Sequence, residues 1–384
     1  MRNIPLFKVF MSETAGPAVT EILNSGYIGQ GSKVEEFESQ LRNYFNHDYC
    51  LTLNSATSGL HLALHLLKKP FTSRASTWEG LKLGDEVLTS PLTCTATNFP
   101  ILANGLNIKW VDVDPTTMNM CLTDLERKIT SRTKVILLVH WGGYPLDLDK
   151  VKEIQNRAKE MYGFKPAVIE DCAHSFGSAY KGKKIGTHGN ICVFSFQAIK
   201  HITTVDGGLI ILPHQELYNR AKLLRWYGID RESNRKDFRC EADIPEWGFK
   251  FHMNDVCATV GIENIKHASQ ILEAHTDNAA FYDEKLAGLP GVTLLARNSY
   301  FNSAFWLYTM RVERRDDFIA AMKERGIATS RVHERNDKHT CVQEYVSMLP
   351  NLEKVVKDMV CIPGGWWVTP EDRQYVVDAI KEGW

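Results

Sequence analysis

The sequence predicts an α/β protein with a mixed sheet, followed by a smaller α+β region at the C-terminal end. Short apolar runs of strand-like composition alternate with longer segments whose apolar residues recur at helical spacing, which is typical of strands joined by helices. Two of the strand-like runs lead into ionisable residues, Asp171 and Lys200. These observations predict a sheet with reactive polar groups beyond the ends of its strands.

The elements of the larger region can be predicted in chain order. An extended N-terminal arm precedes a helix over residues 34–45, and a helix with a wide leucine-rich surface begins after Asn54. Residues 69–79 contain Pro, Ser, Thr and Arg and are predicted to form a surface insertion. The predicted strands lie at 49–53, 86–89, 108–112, 135–139, 167–171 and 209–212, and in the run that starts at Ile191.

A second region is predicted to begin near Ile265. We expect residues 1–265 to form the arm and a large domain, and residues 266–384 to form a small C-terminal α+β domain. The patterned segments of the small domain are a helix over 271–289, the segments 304–313 and 316–325, and a helix that starts at Pro370.

Composition favours small-molecule chemistry. The chain has 384 residues, 45 basic and 46 acidic side chains and a formal net charge of -1, so nothing in its charge favours binding to nucleic acid or to an anionic membrane. Its nine cysteines form no C-x-x-C pair, as expected of reduced thiols in the cytoplasm. We expect a soluble protein, because no apolar stretch has the length of a signal segment or a membrane span.

Lys200 and Asp171 indicate a cofactor. Lys200 follows an apolar strand and precedes a polar turn that ends in Gly207 and Gly208, so its amine is placed where it could form a Schiff base. Asp171 ends another apolar strand, where a carboxylate requires a partner. A protonated pyridine nitrogen is one such partner, and a helix cap or a buried ion pair is another. Together the two segments suggest an enzyme that uses pyridoxal 5'-phosphate (PLP).

Residues 54–58 predict an anion site. They lie between a strand and the first turn of a helix, where free backbone N–H groups and the helix dipole attract a phosphate. The alternative is an ordinary N-cap by Ser55 or Thr57. His61 and His65 are one helical turn apart, but no third ligand accompanies them at fixed spacing, so we assign no metal.

Several motifs in register resemble the DegT/StrS family of PLP-dependent nucleotide-sugar aminotransferases. The resemblance covers nearly the whole chain and implies the aspartate aminotransferase-like fold (PLP fold type I). The matching segments are Tyr27–Gly31 with Val34–Phe37, Ser55–Ala63, Asp112–Asp114, Glu170–His174, Ser195–Lys200, Gly207–Gly208 and Trp247–Asp255.

The resemblance implies two catalytic residues. Lys200 would bind PLP covalently and move the proton during transfer, while Asp171 would keep the ring nitrogen protonated. His174 would lie near the ring hydroxyl, although a structural buried histidine is the alternative. Glu170, on the other side of its strand, is predicted to be structural.

The resemblance also implies a phosphate site and a partner. Ala56, Thr57 and Ser195 would bind the phosphate of PLP. Lys250 stands where many relatives have an asparagine that reaches the phosphate in the neighbouring subunit, which implies a homodimer with shared active sites; the alternative is a solvated lysine.

Three residues or segments depart from the family pattern. Cys94 stands where relatives commonly place an aromatic ring over the cofactor, and Ala56 replaces the usual glycine of the phosphate loop. The dipeptide Val205-Asp206 replaces a glycine and a glutamate after the lysine. His201 follows Lys200 directly, and relatives that act as sugar dehydratases carry histidine in place of the lysine itself.

The predicted activity is transfer of an amino group from L-glutamate, which leaves as 2-oxoglutarate, to a nucleotide-linked keto sugar. A 4-keto-6-deoxy sugar used for surface-glycan biosynthesis is the expected acceptor. The alternatives are a PLP-dependent sugar dehydratase and a non-enzymatic regulatory protein that has kept the fold. Residues 333–339 either line the sugar site or form a solvated loop, and the charges around Trp226 either meet a diphosphate or are simply exposed.

Overall fold

A computed structural model describes residues 2–72, 77–232 and 243–384. Its strands are β1 Cys50–Leu53, β2 Phe71–Thr72, β3 Thr77–Trp78, β4 Glu86–Thr89, β5 Asn107–Trp110, β6 Thr133–Val139, β7 Ala167–Asp171, β8 Ala179–Tyr180, β9 Lys183–Lys184, β10 Ile191–Ser195, β11 Gly208–Ile211, β12 Val292–Leu294, β13 Phe301–Asn302, β14 Tyr308–Val312 and β15 Met359–Ile362.

The α-helices surround the sheets, and three short 3-10 segments lie at Trp141–Gly143, Asn336–Lys338 and Thr340–Tyr345. The α-helices are α1 Ala15–Ser25, α2 Ser32–Phe45, α3 Ala56–Leu66, α4 Thr95–Ala103, α5 Leu122–Lys128, α6 Leu148–Tyr162, α7 Gln215–Leu224, α8 Asp255–Ile265, α9 Ala268–Leu286, α10 Arg315–Glu324, α11 Pro350–Asp358 and α12 Pro370–Lys381.

A seven-stranded mixed sheet forms the centre of the fold, in the order β1-β11-β10-β7-β6-β4-β5. Strand β11 runs antiparallel to both of its neighbours, whereas the strands from β10 to β5 are parallel. Alternate residues of β10 enter two separate apolar clusters, Val193 in one and Phe194 in the other. The sheet is therefore buried on both faces, as expected of parallel strands covered by helices, and the predicted mixed α/β fold is confirmed.

The C-terminal region has its own antiparallel sheet, in the order β12-β14-β15. It shares a third apolar cluster with residues of α9, α10 and α12, including Tyr282, Phe318 and Val376. The boundary that we predicted near Ile265 falls between α8 and α9; the division into two domains stays a prediction.

Most predicted elements occur within a few residues of their expected bounds, and strand 167–171 matches β7. The N-terminal arm is an exception, because it contains α1 and is not extended throughout. Pro17 falls in the first turn of α1, where the missing N–H of proline does not interrupt the helix. The insertion is partly described as the β2–β3 pair, and its residues 73–76 lie outside the described residues.

Among the helices of the described ranges, none combines the length and the apolar character that are needed to cross a membrane.

Candidate active site

Parallel strands bring Asp171 and Lys200 to one edge of the central sheet. Asp171 is the last residue of β7 and pairs in register with Val193 of the neighbouring strand β10. Strand β10 ends at Ser195, and the turn that follows carries Lys200, whose N–H donates to the Gln197 carbonyl oxygen. Because the carboxyl ends of parallel strands meet at one edge, the carboxylate and the amine face a common site.

Asp171 is a buried carboxylate with two hydrogen-bond donors. Its Oδ2 accepts from Thr97 Oγ1 at 2.7 Å, and its Oδ1 accepts from the Ala173 N–H at 3.0 Å. Burial raises the pKa of Asp171, whereas these two hydrogen bonds and the charge of Lys200 act in the opposite direction. The desolvated carboxylate is therefore suited to a cationic partner.

Lys200 is half-buried, and its amine lies over an aromatic ring. The Nζ atom is 3.3 Å from the ring centre of Trp306. Burial lowers the pKa of Lys200 to about 7, although Asp171 and Cys94 act to raise it. A substantial fraction of the amine is therefore neutral near pH 7 and able to act as a nucleophile or as a proton acceptor.

Trp306 is a site residue that the sequence analysis missed. Its Nε1–H donates to the Ile199 carbonyl oxygen at 2.9 Å, which fixes the ring beside the residue that precedes Lys200. Two histidines bond the main chain just before Trp306: His201 Nε2 lies 2.9 Å from the Ala304 carbonyl oxygen, and His275 Nδ1 lies 2.9 Å from the Phe305 carbonyl oxygen. A carbonyl oxygen only accepts, so both histidines donate and position the segment that leads to Trp306.

His174 lies in the same site. It is buried, its Nδ1 accepts from the Gly142 N–H at 3.3 Å, and its ring stacks on Trp306 with the ring centres 4.0 Å apart. Burial and the charge of Lys200 hold the pKa of His174 well below the usual histidine value. The ring is therefore neutral and carries its proton on Nε2.

His333 brings the C-terminal region into the site. Its ring lies parallel to that of His174 with the ring centres 5.6 Å apart, and its buried Nε2 has no hydrogen-bond partner among the described residues. Burial and Lys200 lower the pKa of His333 to about 4. Arg335, Asn336 and Asp337 are also buried. The alternative of a solvated loop over 333–339 is therefore wrong for residues 335–337.

The predicted anion site is a close approach of two chain segments. Ser55 is the N-cap of α3 and accepts from the Ser58 N–H at 3.1 Å, so the predicted cap is present. A Cβ on Gly208 would lie 2.6 Å from the Ala56 nitrogen, which explains the glycine at that position. Ala56 is half-buried and Thr57 is exposed in the first helical turn, where free N–H groups can bind an anion.

Two other residues lie near this loop. Ser195 is buried, and its Oγ accepts from the Gln197 N–H at 3.3 Å. The Asn54 side chain donates to the Lys250 carbonyl oxygen at 3.1 Å, whereas the Lys250 side chain is exposed. The structure therefore places the backbone of Lys250 beside the anion loop of its own chain.

Glu170 lies beneath the site rather than in it. Its carboxylate bonds His140 Nε2 at 2.8 Å and Asn190 Nδ2 at 2.6 Å, and burial and His140 act in opposite directions on the pKa of Glu170, which is lowered overall. Possible metal-ligand atoms of His140, Glu170 and Cys172 lie within 4.8 Å of one another. The His140–Glu170 bond already uses two of these atoms, so we assign the cluster a structural role.

Two other groups of residues are structural. Both His61 and His65 pack edge-on against Phe249, as expected of a helix face. Arg225 is one of the charged residues around Trp226 that we expected to be exposed or to meet a diphosphate. It is buried and forms an ion pair with Glu38 at 2.5 Å, so both alternatives are wrong for this residue.

The chain is similar to known sugar aminotransferases. Residues 10–381 match the DegT/DnrJ/EryC1/StrS aminotransferase family. The solved structure of AtS13 from Actinomadura melliaura is 47% identical with a TM-score of 0.94, and the alignment covers 100% of both chains. The sugar aminotransferase CalS13 from Micromonospora echinospora is 44% identical with a TM-score of 0.93, over 99% of this chain and 100% of that one.

A curated relative is similar over most of its length. The UDP-4-amino-4-deoxy-L-arabinose–oxoglutarate aminotransferase of Shewanella sediminis (strain HAW-EB3) is 34% identical over 336 residues, which cover 84% of this chain and 81% of that protein. The solved structures of a sugar aminotransferase from Streptococcus pneumoniae, which is 25% identical, include a PLP form and a form with pyridoxamine phosphate (PMP). These matches favour a transaminase over the dehydratase and the non-enzymatic alternatives, and the chain belongs to the DegT/DnrJ/EryC1/StrS family of PLP-dependent sugar aminotransferases.

Proposed function

We propose that the enzyme transfers an amino group from L-glutamate to the keto group of a nucleotide-linked sugar, with Lys200 and Asp171 as the catalytic residues. The observation that supports this most strongly is that a buried carboxylate ends β7, while a half-buried lysine amine, whose pKa is about 7, lies in the turn after the neighbouring strand β10. The charge of each group acts on the pKa of the other. The anion loop, residues 54–58, follows β1 of the same sheet and leads into α3.

These residues fit PLP. Asp171 is a desolvated carboxylate that can neutralise a protonated ring nitrogen, and Lys200 supplies the primary amine that PLP enzymes require. Ala56, Thr57 and Ser195 can bind the phosphate through N–H and hydroxyl groups beside Gly208, where a Cβ would not fit. When bound, PLP supplies an electron sink for the carbon that loses or gains the proton.

The neighbouring side chains orient the reactants and limit the access of water. Lys200 Nζ, with its low pKa, can accept a proton at one carbon and return it at another without a large free-energy cost. The neutral His174 can donate its Nε2–H to the ring hydroxyl. Trp306 and His333 cover the amine and the imidazole with apolar ring surface. The overall reaction has two halves in one site, in which glutamate leaves as 2-oxoglutarate before the keto sugar enters.

The substrate proposal is supported by the name of the relative from Shewanella sediminis, which contains both a UDP-linked 4-amino sugar and oxoglutarate. We therefore favour a 4-keto acceptor and the glutamate/2-oxoglutarate pair. A 6-deoxy sugar destined for surface glycans is the narrower form of the same proposal.

We further propose a homodimer with shared active sites. Tyr27 is 84% exposed and Trp247 is 66% exposed, and large aromatic rings on a surface favour a protein partner. The Asp255 N–H donates to the Gly29 carbonyl oxygen, which ties the segment of Tyr27 to the segment of Trp247 and Lys250. A second copy seated here would allow Lys250 to reach the phosphate of that copy's cofactor.

A cytoplasmic location is consistent with the cysteines. The eight within the described ranges are free thiols, of which Cys50, Cys172, Cys192 and Cys361 are buried, as expected in a reducing compartment. Cys240 lies outside the described residues.

A panel assay tests the function. PLP-loaded enzyme is incubated with L-glutamate and with 3-keto or 4-keto sugars, each in nucleotide-linked and free form, and 2-oxoglutarate and the amino sugar are measured. We expect turnover with a nucleotide-linked 4-keto sugar and none with K200A. Equal turnover of free and nucleotide-linked sugars would overturn the substrate class, and elimination of a hydroxyl without amine transfer would indicate a dehydratase.

A further inference from the structure

We propose that Thr97 is a positioning residue that keeps Asp171 ionised, and that Asn336 of the C-terminal region anchors the buried turn that carries Thr97. This inference rests on the role of Asp171 proposed above. It assigns a function to the first turn of α4, which the sequence motifs did not explain.

The direction of the hydrogen bonds follows from their chemistry. Thr97 Oγ1 lies 2.7 Å from Asp171 Oδ2 and 2.7 Å from Thr93 Oγ1. An ionised carboxylate only accepts, so the single hydroxyl proton of Thr97 is donated to Asp171. Thr93 must then donate its own proton to Thr97. Both threonines are at most 2% exposed, so water does not compete with this arrangement and the two hydrogen bonds favour the ionised acceptor.

Asn336 anchors the turn that carries Thr93 and Thr97. Its Nδ2 donates to the Thr93 carbonyl oxygen at 2.7 Å, and its Oδ1 accepts from Asn98 Nδ2 at 2.9 Å. Asn336 and Asn98 are at most 1% exposed. Thr93, at the start of the turn, and Asn98, just after Thr97, are therefore both held by the Asn336 side chain. That side chain lies three positions after His333, so the same loop contributes to the site and to the support of Asp171.

The surroundings of Asp171 make this hydrogen bond important. Burial raises the pKa of Asp171, and the Thr97 hydroxyl and the Ala173 N–H are the hydrogen bonds that oppose this. Lys200 and His140 are the ionisable groups whose charges act on it. The neighbouring strands place the uncharged Val139 and Val193 opposite it. Loss of the Thr97 hydroxyl should therefore favour the neutral acid, which cannot hold a ring nitrogen protonated.

The experiment compares three variants. T97V removes the hydroxyl at nearly constant volume, and T97S restores it. T259V is the matched control, because buried Thr259 donates to the Asp255 main-chain carbonyl oxygen at 2.7 Å. Thr259 lies within α8, and T259V removes a buried hydroxyl without removing a donor to a carboxylate.

The first measurement is the unfolding stability of the apoprotein at pH 5 and pH 8, which does not depend on PLP. The folded-state pKa of Asp171 is raised above 3.8, so its ionisation destabilises the fold and stability falls as pH rises through the folded-state value. We expect T97V to increase this fall, with T97S like the wild type and T259V without the same pH dependence. The second measurement is the pH profile of the holoenzyme, whose acid limb should move up by about one to two pH units in T97V.

The outcomes are distinct. A loss of stability in T97V that is equal at pH 5 and pH 8, or a T97S variant as impaired as T97V, would overturn the positioning role. A pH-dependent effect in the apoprotein together with an unshifted activity profile would uphold the effect of Thr97 on Asp171 and overturn the proposed role of Asp171 in catalysis.

Discussion

The amine of Lys200 lies 3.3 Å from the ring centre of Trp306, so an aromatic face from the C-terminal region covers the amine. A cation–π contact favours the protonated amine by roughly 0.5–2 kcal/mol. Burial acts in the opposite direction and is the larger effect, because the pKa falls from 10.5 to about 7. The resemblance predicts that relatives carry an aromatic ring at the position of Cys94, and Trp306 supplies a ring from a different part of the chain.

The first prediction is that Lys200→Ala abolishes covalent binding of PLP. After borohydride reduction, the intact mass of the wild type should increase by one PLP group, because the Lys200 amine is the proposed point of attachment. The mass of K200A should not change, and exposed Lys183, replaced by alanine, serves as the control. A reduced adduct that persists in K200A would assign the attachment to another lysine.

The second prediction concerns the pH dependence of PLP uptake by the apoprotein. A lysine attacks an aldehyde as the neutral amine, and burial lowers the pKa of Lys200 to about 7. The rate of uptake should rise as pH increases through about 7 and level off above pH 8, as stopped-flow absorbance can show. A midpoint near 10, the ordinary lysine value, would contradict the burial that the structure shows.

The third prediction is that Asp171→Asn separates cofactor binding from activity. The amide is nearly isosteric and can keep the hydrogen bond from Thr97 or Ala173, so PLP should remain bound. It cannot neutralise a protonated ring nitrogen, and turnover should fall by a factor of about 100 or more, which corresponds to roughly 3 kcal/mol. Measured kcat near that of the wild type would remove Asp171 from the catalytic residues.

The positions of Lys200 and Asp171 could be predicted because Asp171 ends a strand of high apolar content and Lys200 follows another, and such strands are local patterns. The matching motifs also have a physical cause in the folded structure. A Cβ on Gly31 would lie 2.8 Å from Asp255 Oδ2, and the same carboxylate accepts from the Gly31 N–H at 2.7 Å. Two motifs that are far apart in sequence are therefore in contact at one side chain.

Trp306, Thr97 and Asn336 could not be identified in the same way. Each acts through a partner that is distant in sequence, and no local periodicity records a contact between Thr97 and Asp171 or between Asn336 and Thr93. The burial of Arg225 was missed for a related reason. Its partner Glu38 lies on α2, and a charged residue is expected at the surface unless its ion pair is known.

The fourth prediction is that Val205→Gly stabilises the protein. Val205 has a φ of 73°, a left-handed conformation that costs a residue with a Cβ roughly 1–2 kcal/mol and a β-branched residue at least as much. The resemblance to the family predicts a glycine in relatives at this segment. After allowance for the greater entropy of unfolded glycine, we expect a gain of about 0.5–1 kcal/mol in the free energy of unfolding.

Val346 provides the matched control for this prediction. It is 57% exposed, compared with 58% for Val205, but its φ is -55°. V346G should therefore destabilise the protein, because it adds entropy to the unfolded chain and relieves no strain. Chemical denaturation of both variants gives the comparison, and destabilisation by V205G of the same size as by V346G would refute the strain at Val205.

The last prediction concerns assembly, and it rests on Lys250. The side chain of Lys250 is exposed, its backbone lies beside Asn54, and the neighbouring Trp247 is 66% exposed. If Lys250 binds the phosphate of the partner's cofactor, Lys250→Ala should weaken PLP binding by roughly 1–3 kcal/mol, the scale of a lost hydrogen bond to a charged group. Lys323→Ala, at an exposed lysine of α10, should leave PLP affinity unchanged.

Two measurements test both parts of this prediction. Equilibrium dialysis gives the PLP dissociation constant of each variant, and light scattering with activity assays over a dilution series gives the active species. Because PLP would contact both copies, its binding should stabilise the dimer, and dilution should reduce activity sooner without added PLP than with it. A fully active monomer would exclude shared sites. A dimer in which K250A binds PLP as tightly as the wild type would show instead that Lys250 is the solvated lysine that the sequence left open.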